Sequence, residues 1–93
     1  MEMIERQINI KNKTGLHARP AAIIVQKANE YHSDIFLEKG EERVNAKSIM
    51  GVMMLAAAEG VTLKVIAYGD DEQEAVEQIC GLLESDIDKE VKT

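Results

Sequence analysis

The sequence predicts an α+β fold in two layers, an open β-sheet with helices on one face. Hydrophobicity alternates with period two in the first and last of four predicted strands, the middle two read as a hairpin, and apolar residues recur at helical spacing between and after them. These segments follow one another in the order β-α-β-β-α-β-α, which is typical of a sheet covered by helices. A chain of 93 residues can bury one core and little more. We therefore expect a single domain over residues 1–93.

The first predicted strand runs from Ile4 to Asn12, where isoleucines alternate with polar residues. An amphipathic helix is predicted from Ala18 to about Tyr31. Pro20 fits only in its first turn, where a missing N–H group is no loss. Because a residue before proline avoids the α region, we expect Arg19 to lie outside the regular helix.

The middle of the chain is typical of a β-hairpin, with short strands at Ile35–Glu38 and Arg43–Ala46. Ser48 is a favourable N-cap residue and precedes a predicted helix over Ile49–Ala58. Glycine closes this helix, and the chain enters the next predicted element.

The last strand and helix are predicted from a clear change of period. Val61–Tyr68 alternates, and its second face is mixed in polarity, which suits an interior strand. A final helix is expected to begin with Asp70 or Asp71 as its cap and to continue through Ser85.

The composition excludes some classes of partner. The formal net charge is −6, whereas binding to a nucleic-acid backbone needs clustered Lys and Arg. No apolar run approaches the roughly 20 residues that span a bilayer, and the N-terminus lacks a signal-peptide core. We therefore expect no direct nucleic-acid binding, no membrane insertion and a cytoplasmic location.

Few residues outside one segment offer covalent or metal chemistry. The single cysteine, Cys80, cannot form an intramolecular disulfide and is interpreted as a packing residue in a reducing compartment. His32 has no Gly, Pro or Arg beside it and is interpreted as a surface residue. No paired His or Cys indicates a metal site, and no Gly-rich loop indicates a nucleotide site. We expect no metal, no cofactor and no complete catalytic machinery.

The segment Thr14–Pro20 contains the strongest candidate for chemistry, His17. A histidine alone would be interpreted as a plain surface residue, so the functional interpretation of His17 depends on its neighbours. Gly15 permits backbone conformations that other residues resist, and small Ala18 leaves backbone amides open. A helix start has unpaired N–H groups and a partial positive charge, which suit an anion. Because neutral imidazole is a nucleophile, the segment indicates a histidine that carries a phosphoryl group, with Arg19 as a partner for its oxygens.

Ser48 and the helix after it form a second candidate site. Ser48 is either a plain N-cap or a phosphorylation site at a helix start, where added negative charge is tolerated. Ile49, Met50 and Met53 fall on one face of the following helix. That face is either an exposed apolar patch for protein contacts or a methionine-rich core stripe.

Two segments resemble the signatures of one family. Gly15–Ala21, with the sequence GLHARPA, resembles the active-site signature of HPr, the histidine-containing phosphocarrier of the bacterial sugar phosphotransferase system. Asn45–Met53, with the sequence NAKSIMGVM, resembles the regulatory serine segment of the same family in its Gram-positive form. The resemblance implies an open-faced sandwich of four antiparallel strands under three helices.

The resemblance also implies a phosphoryl relay. Enzyme I, charged by phosphoenolpyruvate, would transfer its phosphoryl group to Nδ1 of His17, and His17 would pass it to enzyme IIA proteins. Thr14, Ala18 and Arg19 would bind the phosphate. Such a protein is a carrier that is itself phosphorylated as an intermediate, rather than an enzyme.

By the same resemblance, Ser48 would be phosphorylated by an ATP-dependent HPr kinase/phosphorylase. The phosphorylated form would act as corepressor for a catabolite-control transcription factor, which would contact Ile49, Met50 and Met53.

The chain is also similar to Crh, the regulatory paralogue of HPr, over Asp34–Lys39 and Val44–Ser48. Crh proteins have lost the active-site histidine, whereas this chain keeps His17, which favours a competent carrier. The alternative is a Crh-like corepressor that acts through phosphorylated Ser48 without phosphoryl transfer. Met54 and Ala56–Ala58 depart from HPr proteins, which more often have Ser and Gly there.

Overall fold

The computed structural model describes residues 3–11, 15–16, 18–55 and 57–85. Within these ranges the elements follow the predicted order. They are β1 (Ile4–Asn9), α1 (Ala18–Ala28), β2 (Asp34–Lys39), β3 (Glu42–Asn45), α2 (Ile49–Met54), β4 (Thr62–Tyr68) and α3 (Glu72–Leu83).

The four strands form one antiparallel sheet in the order β1-β4-β2-β3. β4 is an interior strand, with Ile8 of β1 opposite Leu63 and Ile66 opposite Phe36 of β2. Because side chains alternate across a strand, the register puts one set of apolar residues on the face that the helices cover. The predicted α+β open-faced sandwich is confirmed.

The hydrophobic core lies between this sheet face and the three helices. Its fully buried large side chains come from both layers and include Ile24, Ile35, Leu37, Val52, Leu63, Val65, Ile79 and Leu83. The opposite sheet face is mixed, as the pattern of the last strand predicts. There the rings of Phe36 and Tyr68 stack with centroids 5.9 Å apart. On the same face, Nζ of Lys64 lies 3.5 Å from Oε2 of Glu5 and 3.9 Å from Oε1 of Glu38.

The first helix is shorter than predicted, because α1 ends at Ala28 rather than near Tyr31. The side-chain amide of Asn29 donates to the carbonyl of Val25 at 2.9 Å and to that of Lys47 at 3.3 Å. Asn side chains compete with backbone groups in this way and favour helix ends. The first strand also ends earlier than predicted, at Asn9, since Ile10 and Lys11 lie outside it; Asn12, its predicted end, lies outside the described residues.

The second helix also ends early, at Met54 rather than Ala58. The carbonyl of the following residue, Leu55, accepts a hydrogen bond from Nζ of Lys39 at 2.8 Å. The ammonium group satisfies a carbonyl that a longer helix would have paired with its own backbone. A contact from β2, remote in sequence, therefore sets the end of this helix.

Asp71 occupies the N-cap position of α3, as predicted, but its side chain makes no capping hydrogen bond. Its carboxylate instead accepts from the backbone N–H groups of His32 at 2.8 Å and Ser33 at 2.9 Å, and from the Ser33 hydroxyl. The Ser33 hydroxyl above all lowers the pKa of Asp71 from 3.8 to about 2. The predicted cap therefore ties α3 to the loop before β2.

None of the helices in the described ranges has both the length and the apolar character needed to cross a membrane.

Candidate functional site

The chain segment that leads into α1 is tied to the segment that leaves α2. Gly15 has a φ of 72°, and a Cβ atom added there would lie 2.6 Å from the carbonyl oxygen of Ala57. The N–H group of Leu16 donates to the same carbonyl at 2.8 Å, and the Leu16 side chain is buried. Only glycine accommodates both this conformation and this close approach. His17 and Thr14 lie outside the described residues.

The first two residues of α1 are exposed to solvent, whereas its proline is buried. Ala18 and Arg19, the first two helical residues, are exposed, whereas Pro20 is buried. The expectation that Arg19 lies outside the regular helix is wrong. We attribute this to the packing of Pro20 and Ala21 in the core, which outweighs the steric preference of a residue before proline.

The electrostatics of this helix start favour an anion. The first turn of α1 contains no acidic residue, so no carboxylate of that turn offsets the partial positive charge of the helix N-terminus. Arg19 adds a full positive charge in the same turn. The described part of the segment thus combines a helix N-terminus with the positive charge of Arg19, an arrangement that suits an anion.

Ser48 is the N-cap of α2, as predicted. Its backbone is extended, with φ −115° and ψ 119°, and its hydroxyl oxygen accepts from the N–H group of Gly51 at 3.1 Å. The residue is only half-buried. A capping hydroxyl of this kind fits either interpretation made from the sequence.

The outer face of α2 is apolar and exposed. Ile49 is 45% exposed, Met50 71% and Met53 39%, so this face is not a core stripe. Val52 is the one buried residue of the helix itself, and Leu55 follows it into the core. Met54 is also exposed, at 67%, and extends the patch beyond the predicted residues. Such a patch is suited to adaptable protein contacts.

Hydrogen bonds at both ends of α2 position it against α1. Before α2, Nζ of Lys47 donates to the carbonyl of Tyr31 at 2.7 Å, and the amide of Asn29 donates to the carbonyl of Lys47. After α2, Ala57 accepts from Leu16. The start of α2 therefore lies beside the end of α1, and the end of α2 lies beside the segment that leads into α1. Ser48 lies at the far end of α2 from that segment.

Outside the two candidate segments, the described residues include a buried thiol and a cluster of possible metal ligands. Cys80 is fully buried, and burial above all raises the pKa of its thiol to about 11, which supports a packing role. His32, Asp70 and Asp71 offer ligand atoms that all lie within 4.8 Å of one another. Sequence reasoning missed this group because His32 and Asp71 are 39 residues apart and no motif connects them.

Comparison with known proteins identifies the family. A sequence model described as "PTS HPr component phosphorylation site" matches residues 4–85. The HPr-like protein Crh of Halalkalibacterium halodurans is 52% identical over 84 residues, which cover 90% of this chain and 100% of that protein. The phosphocarrier protein HPr of Treponema pallidum is 43% identical over 88 residues, which cover 95% of this chain and 100% of that protein.

A solved structure agrees with these relatives. The crystal structure of a phosphocarrier protein HPr from Bacillus anthracis has a TM-score of 0.87 to this chain at 43% identity, covering 89% of this chain and 99% of that one. Most of the chain is therefore matched by sequence and by fold. The chain belongs to the HPr family of the phosphotransferase system, whose members are phosphocarriers rather than catalytic enzymes.

Proposed function

We propose that this protein is a phosphocarrier of the phosphoenolpyruvate-dependent sugar phosphotransferase system. Enzyme I transfers a phosphoryl group to His17, and His17 passes it to enzyme IIA proteins. One observation carries the proposal: the N–H group of Leu16 donates a hydrogen bond to the carbonyl of Ala57 at 2.8 Å. This contact puts the exposed end of α2 next to the residue before His17, so that a partner docked on α2 reaches the start of α1.

The residues around His17 have separate roles in this proposal. Nδ1 of the neutral ring is the phosphoryl acceptor. The open amides at Ala18 and the guanidinium of Arg19 bind the phosphoryl oxygens, with Thr14 as a further partner by resemblance to the family. Partners supply the rest of each active site, which is why the carrier needs only a nucleophile, an anion site and a docking surface.

The direct test is incubation with Enzyme I and phosphoenolpyruvate, followed by intact-mass measurement. We expect a mass gain of one phosphoryl group that is lost in acid, because phosphohistidine is acid-labile. His17→Ala should show no gain, and Arg19→Ala should be phosphorylated more slowly. A wild-type protein that stays unmodified, or a His17→Ala variant that is modified equally, would refute the carrier proposal.

We further propose that Ser48 is a regulatory phosphorylation site for an ATP-dependent HPr kinase/phosphorylase. The phosphorylated protein binds a catabolite-control transcription factor through Ile49, Met50 and Met53. Support comes from the position of the half-buried capping hydroxyl next to these exposed apolar side chains.

Phosphorylation of Ser48 should slow the phosphorylation of His17, because it adds a dianion at the edge of the docking face. The measurement compares initial rates with Enzyme I for the wild type, Ser48→Asp and Ser48→Ala. The aspartate variant should be slower than both others. Equal rates for all three would contradict this regulation.

A Crh-like corepressor is the second candidate, and the 52% identity to a Crh protein favours it. In that function phosphorylated Ser48 binds the transcription factor and His17 is idle. The deciding measurement is transfer of labelled phosphoryl from His17 to an enzyme IIA protein. Efficient transfer eliminates the Crh-like function, whereas a protein that binds the regulator but does not transfer supports it.

We also propose that residues 1–93 form a single HPr-like domain, supported by the family match over residues 4–85. A cytoplasmic location and the absence of direct nucleic-acid contacts stay predictions from the sequence. Limited proteolysis tests the domain proposal, which requires one protected core that contains all seven elements.

A further inference from the structure

Two loops meet at one end of the sheet, far from the start of α1. The first loop joins α1 to β2 and contains His32, and the second joins β4 to α3 and contains Asp70 and Asp71. The antiparallel register pairs Asp34, the first residue of β2, with Tyr68, the last residue of β4. The sheet therefore brings the two loops side by side.

Close packing holds these loops together. A Cβ atom added to Gly69 would lie 2.5–2.9 Å from atoms of Ser33, which is itself 1% exposed. The carboxylate of Asp71 accepts hydrogen bonds from His32 and Ser33, as described above. Asp71 is thus oriented by outer partners in the way that protein ligands of metals are oriented.

The side chains that complete the group project into solvent. Nδ1 of His32 lies 3.7 Å from Oδ2 of Asp70, and these side chains are 86% and 77% exposed. Two ligands bound to one tetrahedral zinc ion lie roughly 3.4 Å apart when each bond is about 2.1 Å long. A side-chain movement of a few tenths of an ångström would therefore allow both residues to bind the same ion.

The donor atoms select a class of metal. One imidazole nitrogen and carboxylate oxygens suit Zn²⁺ and other divalent first-row transition ions. Ca²⁺ and Mg²⁺ prefer sites made of oxygen alone. Three protein ligands on an exposed surface would leave a position in the coordination shell for water.

We propose that His32, Asp70 and Asp71 form a binding site for a divalent transition-metal ion. The site lies at the end of α1 opposite to Ala18, and it does not depend on the proposed phosphoryl transfer. Its ligands come from two loops that the sheet register brings together, so the folded protein presents the site and the unfolded chain does not.

Titration of the full chain with ZnCl₂ tests the proposal by calorimetry and by amide NMR. We expect one ion per chain and shifts confined to the loops around residues 32–33 and 69–71. His32→Gln and Asp70→Asn change exposed side chains, so the fold should persist, as thermal unfolding would verify. Each variant should lose at least the roughly 10–100-fold in affinity that removal of an outer partner of a ligand costs.

Matched controls exclude other zinc ligands. His17→Gln removes the other histidine of the chain and should bind zinc with unchanged affinity. CaCl₂ and MgCl₂ should bind much more weakly than ZnCl₂. The proposal is overturned if His32→Gln binds zinc as well as the wild type, if His17→Gln abolishes binding, or if calcium binds equally well.

Discussion

Helices α2 and α3 both contain large apolar side chains, but they use them in opposite ways. α3 has twelve residues and buries five of them: Ala75, Val76, Ile79, Cys80 and Leu83. α2 has six residues and buries only Val52, while its large apolar side chains face solvent. The comparison indicates that α3 stabilises the fold and that α2 offers a surface.

The two helices also begin differently. The hydroxyl of Ser48 caps α2 through the N–H group of Gly51. Asp71 makes no such bond, and α3 instead has Glu72 and Glu74 in its first turn, where acidic residues interact favourably with the helix dipole. The short helix therefore depends on its cap, and the long helix depends on its core contacts.

The largest effect is expected for Ile79→Ala in α3. Ile79 is fully buried, and such truncations cost about 2–5 kcal/mol because they remove apolar contacts and leave a cavity. Urea unfolding followed by circular dichroism measures the change in the free energy of unfolding. A loss below about 1 kcal/mol would show that α3 is not the main stabilising helix.

A pH-dependent effect is expected from Cys80, also in α3. Burial raises the pKa of its thiol from 9.0 to about 11 in the folded protein. The unfolded chain releases the thiol proton more readily, so stability is fully present below pH 9 and falls as the pH rises toward 11. A shift of two units corresponds to about 2–3 kcal/mol. Cys80→Ala should lack this part of the alkaline loss, and identical pH profiles would contradict the prediction.

A smaller effect is expected for Ser48→Ala at the start of α2. Loss of an N-cap hydroxyl costs about 1 kcal/mol, and here the loss should concentrate in the short helix. Hydrogen exchange should become faster for the amides of Ile49–Met54, while those of Glu72–Leu83 keep their protection. Ser48→Asp, which retains a capping oxygen, is the matched control and should show slower exchange in α2 than the alanine variant.

The smallest effect on stability is expected for Met50→Ala. Its side chain is 71% exposed, so the free energy of unfolding should change by less than about 0.5 kcal/mol. We expect weaker docking of Enzyme I instead, measured as a higher KM for phosphorylation by Enzyme I. A Met50→Ala variant that loses stability as Ile79→Ala does would invalidate the division between the two helices.

The fold class and the order of the seven elements could be predicted from the sequence, because period-two and helical patterns are local. The ends of α1 and α2 could not. Asn29 bonds to Lys47 and Lys39 bonds to Leu55, and each of these contacts joins residues that are far apart in sequence. Local sequence patterns therefore cannot predict these contacts.

The candidate site was predicted in part. The Ser48 cap is confirmed by its hydrogen bond from Gly51. It could be predicted because a serine before an apolar run is a local signal. Arg19 was placed wrongly, since the burial of Pro20 depends on the whole core. Tertiary packing leaves Met54 exposed, and the sheet register brings His32 close to Asp70. No sequence motif indicates either feature.

The attachment of α2 at both of its ends has a consequence for how such a protein diversifies. Backbone carbonyls of Tyr31 and Ala57, and the side chain of Lys39, hold the ends of α2 in place. The outward residues between these attachments take no part in them. Mutations there should therefore leave the fold intact, so that, if α2 is the proposed docking surface, a duplicated copy could acquire a new partner by a few substitutions on this one helix.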